Sequence, residues 1–121
     1  MGKNESVNEN EITNLIKLAK AGYVDIAAVG NEVMYRGDLS EAELLLYIHK
    51  VKNEIPNIDV GNVDAYYEFE NRPRITEVCD VVLANCYPFW EGCAIEYSLL
   101  YMKDMYARAL KVANGKKVII T

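Results

Sequence analysis

The sequence predicts an α/β protein built on a parallel sheet. Along the whole chain, segments with apolar residues at helical spacing alternate with short apolar runs of strand length. Strands and helices that alternate with short turns form parallel strands joined by right-handed crossovers. Both a doubly wound sheet and a (β/α)8 barrel satisfy this rule. A nucleotide-binding sheet should carry a Gly-rich phosphate turn after an early strand, and none is present.

Three helices are predicted from apolar stripes and their end signals. A pair of residues that resembles a capping box, Asn8 with Glu11, opens a helix near Asn10–Ala21. Ser40 and Glu43 form a clearer capping box, and Pro56 ends the second helix, Ser40–Glu54. The longest helix, Ala94–Asn114, ends before Gly115, and a short helix or turn is expected near Pro73.

Four strands are predicted between these helices, at Val24–Val29, Ile58–Asn62, Val81–Ala84 and Lys117–Thr121. The third is apolar on both faces, as buried parallel strands are. We expect the four strands to be adjacent and parallel in this order, with the helices covering one face of the sheet.

Length and charge limit the organisation and the partners of the chain. Its 121 residues predict one domain over 1–121, whereas a complete (β/α)8 barrel takes about 250 residues. The net charge of −5 and the scattered basic residues argue against a nucleic-acid surface. No apolar run reaches the ~18 residues that a membrane helix requires, and Met1–Asn10 does not resemble a signal peptide. The cellular location is left open.

Several residues have a structural interpretation that outweighs a functional one. The three cysteines, Cys79, Cys86 and Cys93, form no Cys-x-x-Cys pair, so buried unbridged thiols are expected rather than a metal site. His49 is expected to play no part in chemistry. The segment Met1–Ser6 contains short matches to a myristoylation and a glycosylation pattern, and both are expected to be chance matches.

Polar and aromatic residues follow the predicted strands at the points where the strands end, among them Tyr66 and Tyr67 after the second strand. In a parallel sheet these points lie together at the C-terminal rim, where ligands bind. Amides and carboxylates hydrogen-bond sugar hydroxyls, and flat rings cover the apolar faces of pyranoses. A carbohydrate site is therefore predicted from the candidates Asn31, Glu32, Asp64, Asn85, Tyr87, Phe89 and Trp90.

Each candidate also has an ordinary structural interpretation. Glu32 could be a solvated loop acid, and the Tyr87–Trp90 segment could be an aromatic plug that packs the rim. Asp64 could cap a backbone turn. The neighbouring acids Glu68 and Glu70 are expected to be surface charges.

The order of these motifs resembles glycoside hydrolase family 17, the β-1,3-glucanases and related glucanosyltransferases. Val29–Val33 is similar to the acid/base segment of that family, and Val60–Asp64 to its Val-Gly-Thr-Val-Asp segment, with Asn62 in place of threonine. Asp80–Asn85 resembles its Asp-x-Val-x-Ala-Asn segment. Gly115–Thr121 is similar to the strand that leads into Glu-Thr-Gly-Trp-Pro, whose glutamate is the nucleophile of the family.

The resemblance implies a partial (β/α)8 barrel, strands four to seven, from a retaining glycosidase that acts on β-glucan. Glu32 would be the proton donor and Asn31 would bind the 2-hydroxyl of the sugar. Tyr87 would lie near the nucleophile, while Phe89 and Trp90 would line subsites. No metal or organic cofactor is expected.

The nucleophile is expected to be the residue that follows Thr121, so this stretch alone is expected to be inactive and to associate with itself. The alternatives are a glucanosyltransferase and a non-catalytic carbohydrate-binding α/β module.

Overall fold

The four predicted strands form one parallel sheet. The computed structural model describes all residues from Met1 to Thr121. The strands are β1 (Ile26–Asn31), β2 (Asp59–Ala65), β3 (Val81–Asn85) and β4 (Lys117–Ile120). They are hydrogen-bonded in the order β1-β2-β3-β4, and every pair is parallel. This confirms the α/β fold and the predicted strand order.

Five α-helices connect and cover these strands. They are α1 (Glu5–Lys20), α2 (Glu41–Glu54), α3 (Tyr66–Asn71), α4 (Pro73–Val78) and α5 (Ser98–Ala113), and a 3-10 turn at Ile95–Tyr97 precedes α5. The predicted capping box of α2 is present. Glu43 donates its backbone N–H to the Ser40 hydroxyl, and the Glu43 carboxylate accepts the Ser40 N–H. No helix of the chain is long and apolar enough to cross a membrane.

The start of α1 was predicted wrongly. The helix begins at Glu5 because the Asn4 side chain accepts the N–H of Val7 and caps it. Asn8 instead lies inside the helix, where its buried side chain exchanges two hydrogen bonds with the backbone of Gly2. From the sequence alone, an asparagine whose side chain hydrogen-bonds to the backbone of another segment cannot be distinguished from one that caps a helix.

Three of the strands end later than predicted, β3 by the single residue Asn85, and one helix was missed. β1 runs to Asn31 and β2 to Ala65, so both include polar residues that were placed in the following loops. The short helix α3 starts immediately after β2 at Tyr66. Its six residues are too few to show a helical period in the sequence.

The helices bury one face of the sheet in two apolar clusters. The first joins α1, α2 and α4 to β1 and β2 through side chains such as Ile12, Val29 and Ile48. The second joins α3 and α5 to β3 and β4 through Phe69 and Met105. The helices packed on this face therefore hold the C-terminal ends of all four strands together at one rim.

Two of the three cysteines are buried and all three are free. Cys79 and Cys86 are buried, whereas Cys93 is only partly buried. Burial raises the pKa of the Cys79 thiol to about 11, so this thiol stays protonated and unreactive near neutral pH. His49 lies exposed on α2, outside the rim.

Candidate active site

The backbone turns sharply at Glu32, directly after β1. Gly30 has a φ of 81° and Glu32 a φ of 55°, and the pairing of β1 with β2 shifts register between Ala28 and Asn31. A positive φ is uncommon for a residue with a side chain and collects at functional sites. The Glu32 N–H is fixed by the carbonyl of Val63 at 2.8 Å. This irregularity turns the Glu32 side chain towards the rim of the sheet.

The Asp64 side chain hydrogen-bonds to the backbone of the turn that follows β1, and it does not face the rim. Its side chain is fully buried, with 0% exposure. One carboxylate oxygen accepts the N–H of Met34 at 3.1 Å, and the other accepts the N–H of Ala65 at 2.9 Å. Burial raises the pKa of this carboxyl, and the two backbone hydrogen bonds oppose that rise. Asp64 thus supports the backbone of the turn and is not exposed to the cleft, and its predicted role in substrate binding stays a prediction.

Two hydrogen bonds connect Glu32 to the end of β4. The Asn85 Nδ2 donates to Glu32 Oε1 at 2.8 Å. The Thr121 hydroxyl donates to Asn85 Oδ1 at 2.6 Å, and the Thr121 N–H donates to the carbonyl of Ala84 at 3.1 Å. The ends of β1, β3 and β4 are thus joined at one place through side chains.

Glu32 opens into a cleft of ≈ 320 Å³ with aromatic walls. The residues that line it are Glu32, Tyr35, Ala65, Tyr67, Asn85, Tyr87, Trp90 and Glu91. The rings of Tyr35 and Tyr67 meet edge to face with centroids 6.5 Å apart. Trp90 also lines the cleft and is 82% exposed, which leaves its ring free to contact a ligand. Exposed rings around a carboxyl are suited to the alternating apolar and hydroxyl surfaces of a sugar.

A second charged group, Glu91, faces the same cleft and is supported by α3 and α5. The Tyr66 hydroxyl donates to Glu91 Oε2 at 3.4 Å and accepts from Arg108 Nη1 at 3.2 Å. The Arg108 guanidinium lies 4.8 Å from the centre of the Tyr66 ring and is paired with Glu70. Burial, with the charge of Glu91 next, raises the pKa of Tyr66 to about 12, so its hydroxyl keeps its proton.

The structure brings together four of the seven residues predicted for the site. Glu32, Asn85, Tyr87 and Trp90 line one cleft. Asn31 is exposed and lines an adjoining groove beside β1, rather than the cleft wall.

Phe89 does not line the cleft either. It is 82% exposed, and its ring meets the Trp90 ring edge to face with centroids 6.0 Å apart. The roles predicted for Asn31 and Phe89 stay predictions. Glu68 and Glu70, expected to be simple surface charges, are partly buried and paired with Arg72 and Arg108.

Two cleft residues with functional side chains, Tyr35 and Glu91, were missed from the sequence. Tyr35 follows the turn at Glu32 by three residues, and only the fold of that turn brings it back to the cleft. Tyr67 lies two residues after the end of β2, at the start of α3, and was expected at the rim because it follows a strand. Glu91 adjoins the predicted aromatic segment, so the same signal extended by one residue would have included it.

Comparison with known proteins assigns the chain to a family. A protein-family model described as the BtgE/BtgC glycoside hydrolase domain matches residues 1–121. A glucan 1,3-beta-glucosidase of Arthroderma benhamiae is 30% identical over 106 residues, which are 82% of this chain and 34% of that protein. A glucan 1,3-beta-glucosidase of Saccharomyces cerevisiae is 26% identical over 102 residues, 74% of this chain and 33% of that protein. The chain thus spans about a third of the length of these curated relatives.

Solved structures show the same fold. The glycoside hydrolase family 17 beta-1,3-glucanosyltransferase of Rhizomucor miehei superposes with a TM-score of 0.86 and 29% identity. An active-site mutant of the beta-1,3-glucanosyltransferase from that organism, in complex with laminaritriose, gives a TM-score of 0.87. In both comparisons 98% of this chain matches 46% of the other, so the four strands correspond to part of a barrel. The chain therefore belongs to the BtgE/BtgC glycoside hydrolase domain family, and its fold matches part of a glycoside hydrolase family 17 enzyme.

Proposed function

We propose that this chain supplies the acid/base side of a retaining active site that cleaves β-1,3-glucan. One observation carries the proposal: Glu32 stands at the C-terminal rim of the sheet, held by Asn85, in a cleft walled by exposed aromatic rings. The curated relatives are glucan 1,3-beta-glucosidases, and one solved relative was captured with laminaritriose. The same class of substrate fits a cleft of this composition.

Glu32 would act twice in one turnover. As a carboxylic acid it would protonate the glycosidic oxygen that leaves, and as a carboxylate it would then take a proton from an incoming hydroxyl. A retaining mechanism also needs a second carboxylate about 5 Å away, which forms the covalent glycosyl-enzyme. Thr121, at the end of β4, is joined to Glu32 through Asn85. A nucleophile placed directly after Thr121, as in the family motif, would lie on the same rim.

The aromatic walls would position the glucan chain. Tyr35, Tyr67, Tyr87 and Trp90 surround the carboxyl of Glu32. Pyranose rings present apolar C–H faces that pack against such side chains, while their hydroxyls reach the polar groups between them. Asn31 would bind the 2-hydroxyl of the cleaved sugar from the neighbouring groove.

The proposal is tested by replacing Glu32 with its amide in the whole gene product. We expect Glu32→Gln to lower the hydrolysis of laminarin by about 10²–10⁴-fold, because general acid–base catalysis contributes that much. The measurement is the release of reducing sugar over time. Glu77→Gln is the matched control, because Glu77 is an exposed glutamate on α4, at the opposite end of the sheet.

A wild-type rate in Glu32→Gln would contradict the proposal. If the wild-type gene product binds laminarin without cleaving it, the chain belongs instead to a non-catalytic carbohydrate-binding module.

A second candidate is transfer of the glucan to another sugar rather than to water. It is favoured by the two solved relatives, which are beta-1,3-glucanosyltransferases and are 29% identical to this chain. The largely exposed ring of Trp90 offers a surface for the acceptor sugar. Mass spectrometry of the products formed from a single laminari-oligosaccharide separates the two candidates. Transfer gives products longer than the substrate, whereas hydrolysis gives only shorter ones.

A further inference from the structure

The side-chain amide of Asn85 lies between a carboxylate and a hydroxyl. Its Nδ2 faces Glu32 Oε1 at 2.8 Å, and its Oδ1 faces the Thr121 hydroxyl at 2.6 Å. Asn85 itself is buried at the end of β3, with 4% exposure. An asparagine can present either its oxygen or its nitrogen to a neighbour, so its orientation depends on the groups around it.

We propose that Thr121 is a positioning residue that fixes the orientation of Asn85 and, through it, the state of Glu32. The inference rests on the proposed function of Glu32 as the acid/base. Donation by the Thr121 hydroxyl to Asn85 Oδ1 leaves only the N–H groups of Asn85 to face the carboxylate. One oxygen of Glu32 is thereby held, and the other is free to reach the sugar oxygen.

Loss of the hydroxyl would release this arrangement. Without the donor at Thr121, the Asn85 amide can turn and present its oxygen to Glu32. A carbonyl oxygen repels a carboxylate and accepts a hydrogen bond from a carboxylic acid. In either case the hydrogen bond that holds Glu32 Oε1 would be lost.

Other titratable groups surround Glu32, and none of them takes the place of Thr121 in this hydrogen-bond path. The groups that line the cleft with it are Tyr35, Tyr67, Tyr87 and Glu91. Asp64 lies behind the turn, with its carboxylate bonded to the backbone of Met34 and Ala65.

The test compares two substitutions at Thr121 in the whole gene product. Thr121→Val keeps the shape and removes the hydroxyl, whereas Thr121→Ser keeps the hydroxyl. In Thr121→Val we expect kcat on a laminari-oligosaccharide to fall about five-fold with KM changed less than about two-fold, as for loss of one hydrogen bond. Thr121→Ser should restore kcat.

Thr13→Val is the matched control, because Thr13 is exposed on α1 and its hydroxyl bonds only the carbonyl of Glu9. A wild-type kcat in Thr121→Val would overturn the inference. So would a Thr121→Ser enzyme that is as impaired as Thr121→Val, since the effect would then be one of shape. Glu32→Gln is assayed beside them. If it keeps wild-type activity, the proposed function fails and this inference with it. If it is impaired while Thr121→Val is normal, only this inference fails.

Discussion

At the scale of single residues, carboxyl groups in similar sequence positions have different environments. Glu32 and Asp64 both belong to polar segments at strand ends, and both were candidates for the site. Asp64 is buried because side chains alternate between the two faces of β2. Val60, Asn62 and Asp64 all point to the face that the helices cover. Asp64 therefore supports the backbone, and the register shift after Ala28 leaves Glu32 at the rim. The sequence does not reveal such a shift.

The burial of Asp64 predicts a pH-dependent contribution to stability. Its pKa is raised in the folded protein, so the folded state favours the protonated carboxyl more than the unfolded state does. The stabilising contribution is present at low pH and is lost as the pH rises through the folded pKa. We expect the free energy of unfolding of wild type relative to Asp64→Asn to decrease from acid to neutral pH. Urea unfolding followed by circular dichroism at several pH values measures it, and an increase towards neutral pH would contradict the assignment.

At the scale of elements, the helices and strands follow from local signals wherever those signals are long or specific. The capping box at Ser40 and the apolar stripe of α2 predicted that helix almost to the residue. β3 was predicted from a short run of apolar residues buried on both faces. In contrast, α3 follows β2 without a loop and has no side-chain cap, so nothing local marks its start.

The capping box makes a testable contribution to α2. The Ser40 side chain accepts the N–H of Glu43 at 3.2 Å, one of the donors left free at the start of a helix. We expect Ser40→Ala to lower the free energy of unfolding by about 1 kcal/mol, measured by denaturant unfolding. Ser6→Ala is the control, because Ser6 is exposed within α1 and should tolerate alanine with little change. Equal effects of the two changes would argue against the cap.

The packing of β2 against β3 requires a glycine at position 61. A Cβ on Gly61 would lie 2.4 Å from the backbone carbonyl oxygen of Val81, which cannot move without shifting the strand. We expect Gly61→Ala to destabilise the chain by about 3 kcal/mol, at the upper end of overpacking effects. Thermal unfolding compares it with Gly2→Ala, where the added Cβ meets only Asp38 Oδ2 at 3.9 Å. Equal stability of the two variants would show that the sheet can relax around the extra atom.

At the scale of the whole molecule, the fold and most of the cleft followed from the order of strands and of the polar residues after them. Parallel topology places strand ends at one rim whatever the details of the loops, and this brought Glu32, Asn85 and Tyr87 together as predicted. Tyr35 and Glu91 line the cleft only because the turns that carry them fold back towards it. Those turns are set by hydrogen bonds between segments distant in sequence, such as the one that the Met34 N–H donates to the Asp64 carboxylate.

The open edges of the sheet predict that the 121-residue chain associates with itself. β1 and β4 each have one neighbour only, so one side of each strand carries unpaired backbone groups. We expect sedimentation velocity to show dimers or larger species that increase with concentration. Ala28→Lys, which places a charge at an exposed position of β1, should shift the distribution to monomer. Leu46→Lys on the exposed side of α2 is the control, and a purely monomeric wild type would contradict the prediction.

Chemical rescue tests the central claim, that Glu32 is the acid/base of a retaining enzyme, most directly. Glu32→Ala in the whole gene product is assayed on an aryl β-laminaribioside. The phenolate leaving group of this substrate needs no protonation. Without a base the glycosyl-enzyme should turn over slowly, and added azide should attack it in place of activated water. We expect azide to raise the rate and to yield the β-glycosyl azide, identified by NMR. An α-glycosyl azide would make Glu32 the nucleophile, and an absence of rescue in a folded variant would contradict its role as the acid/base.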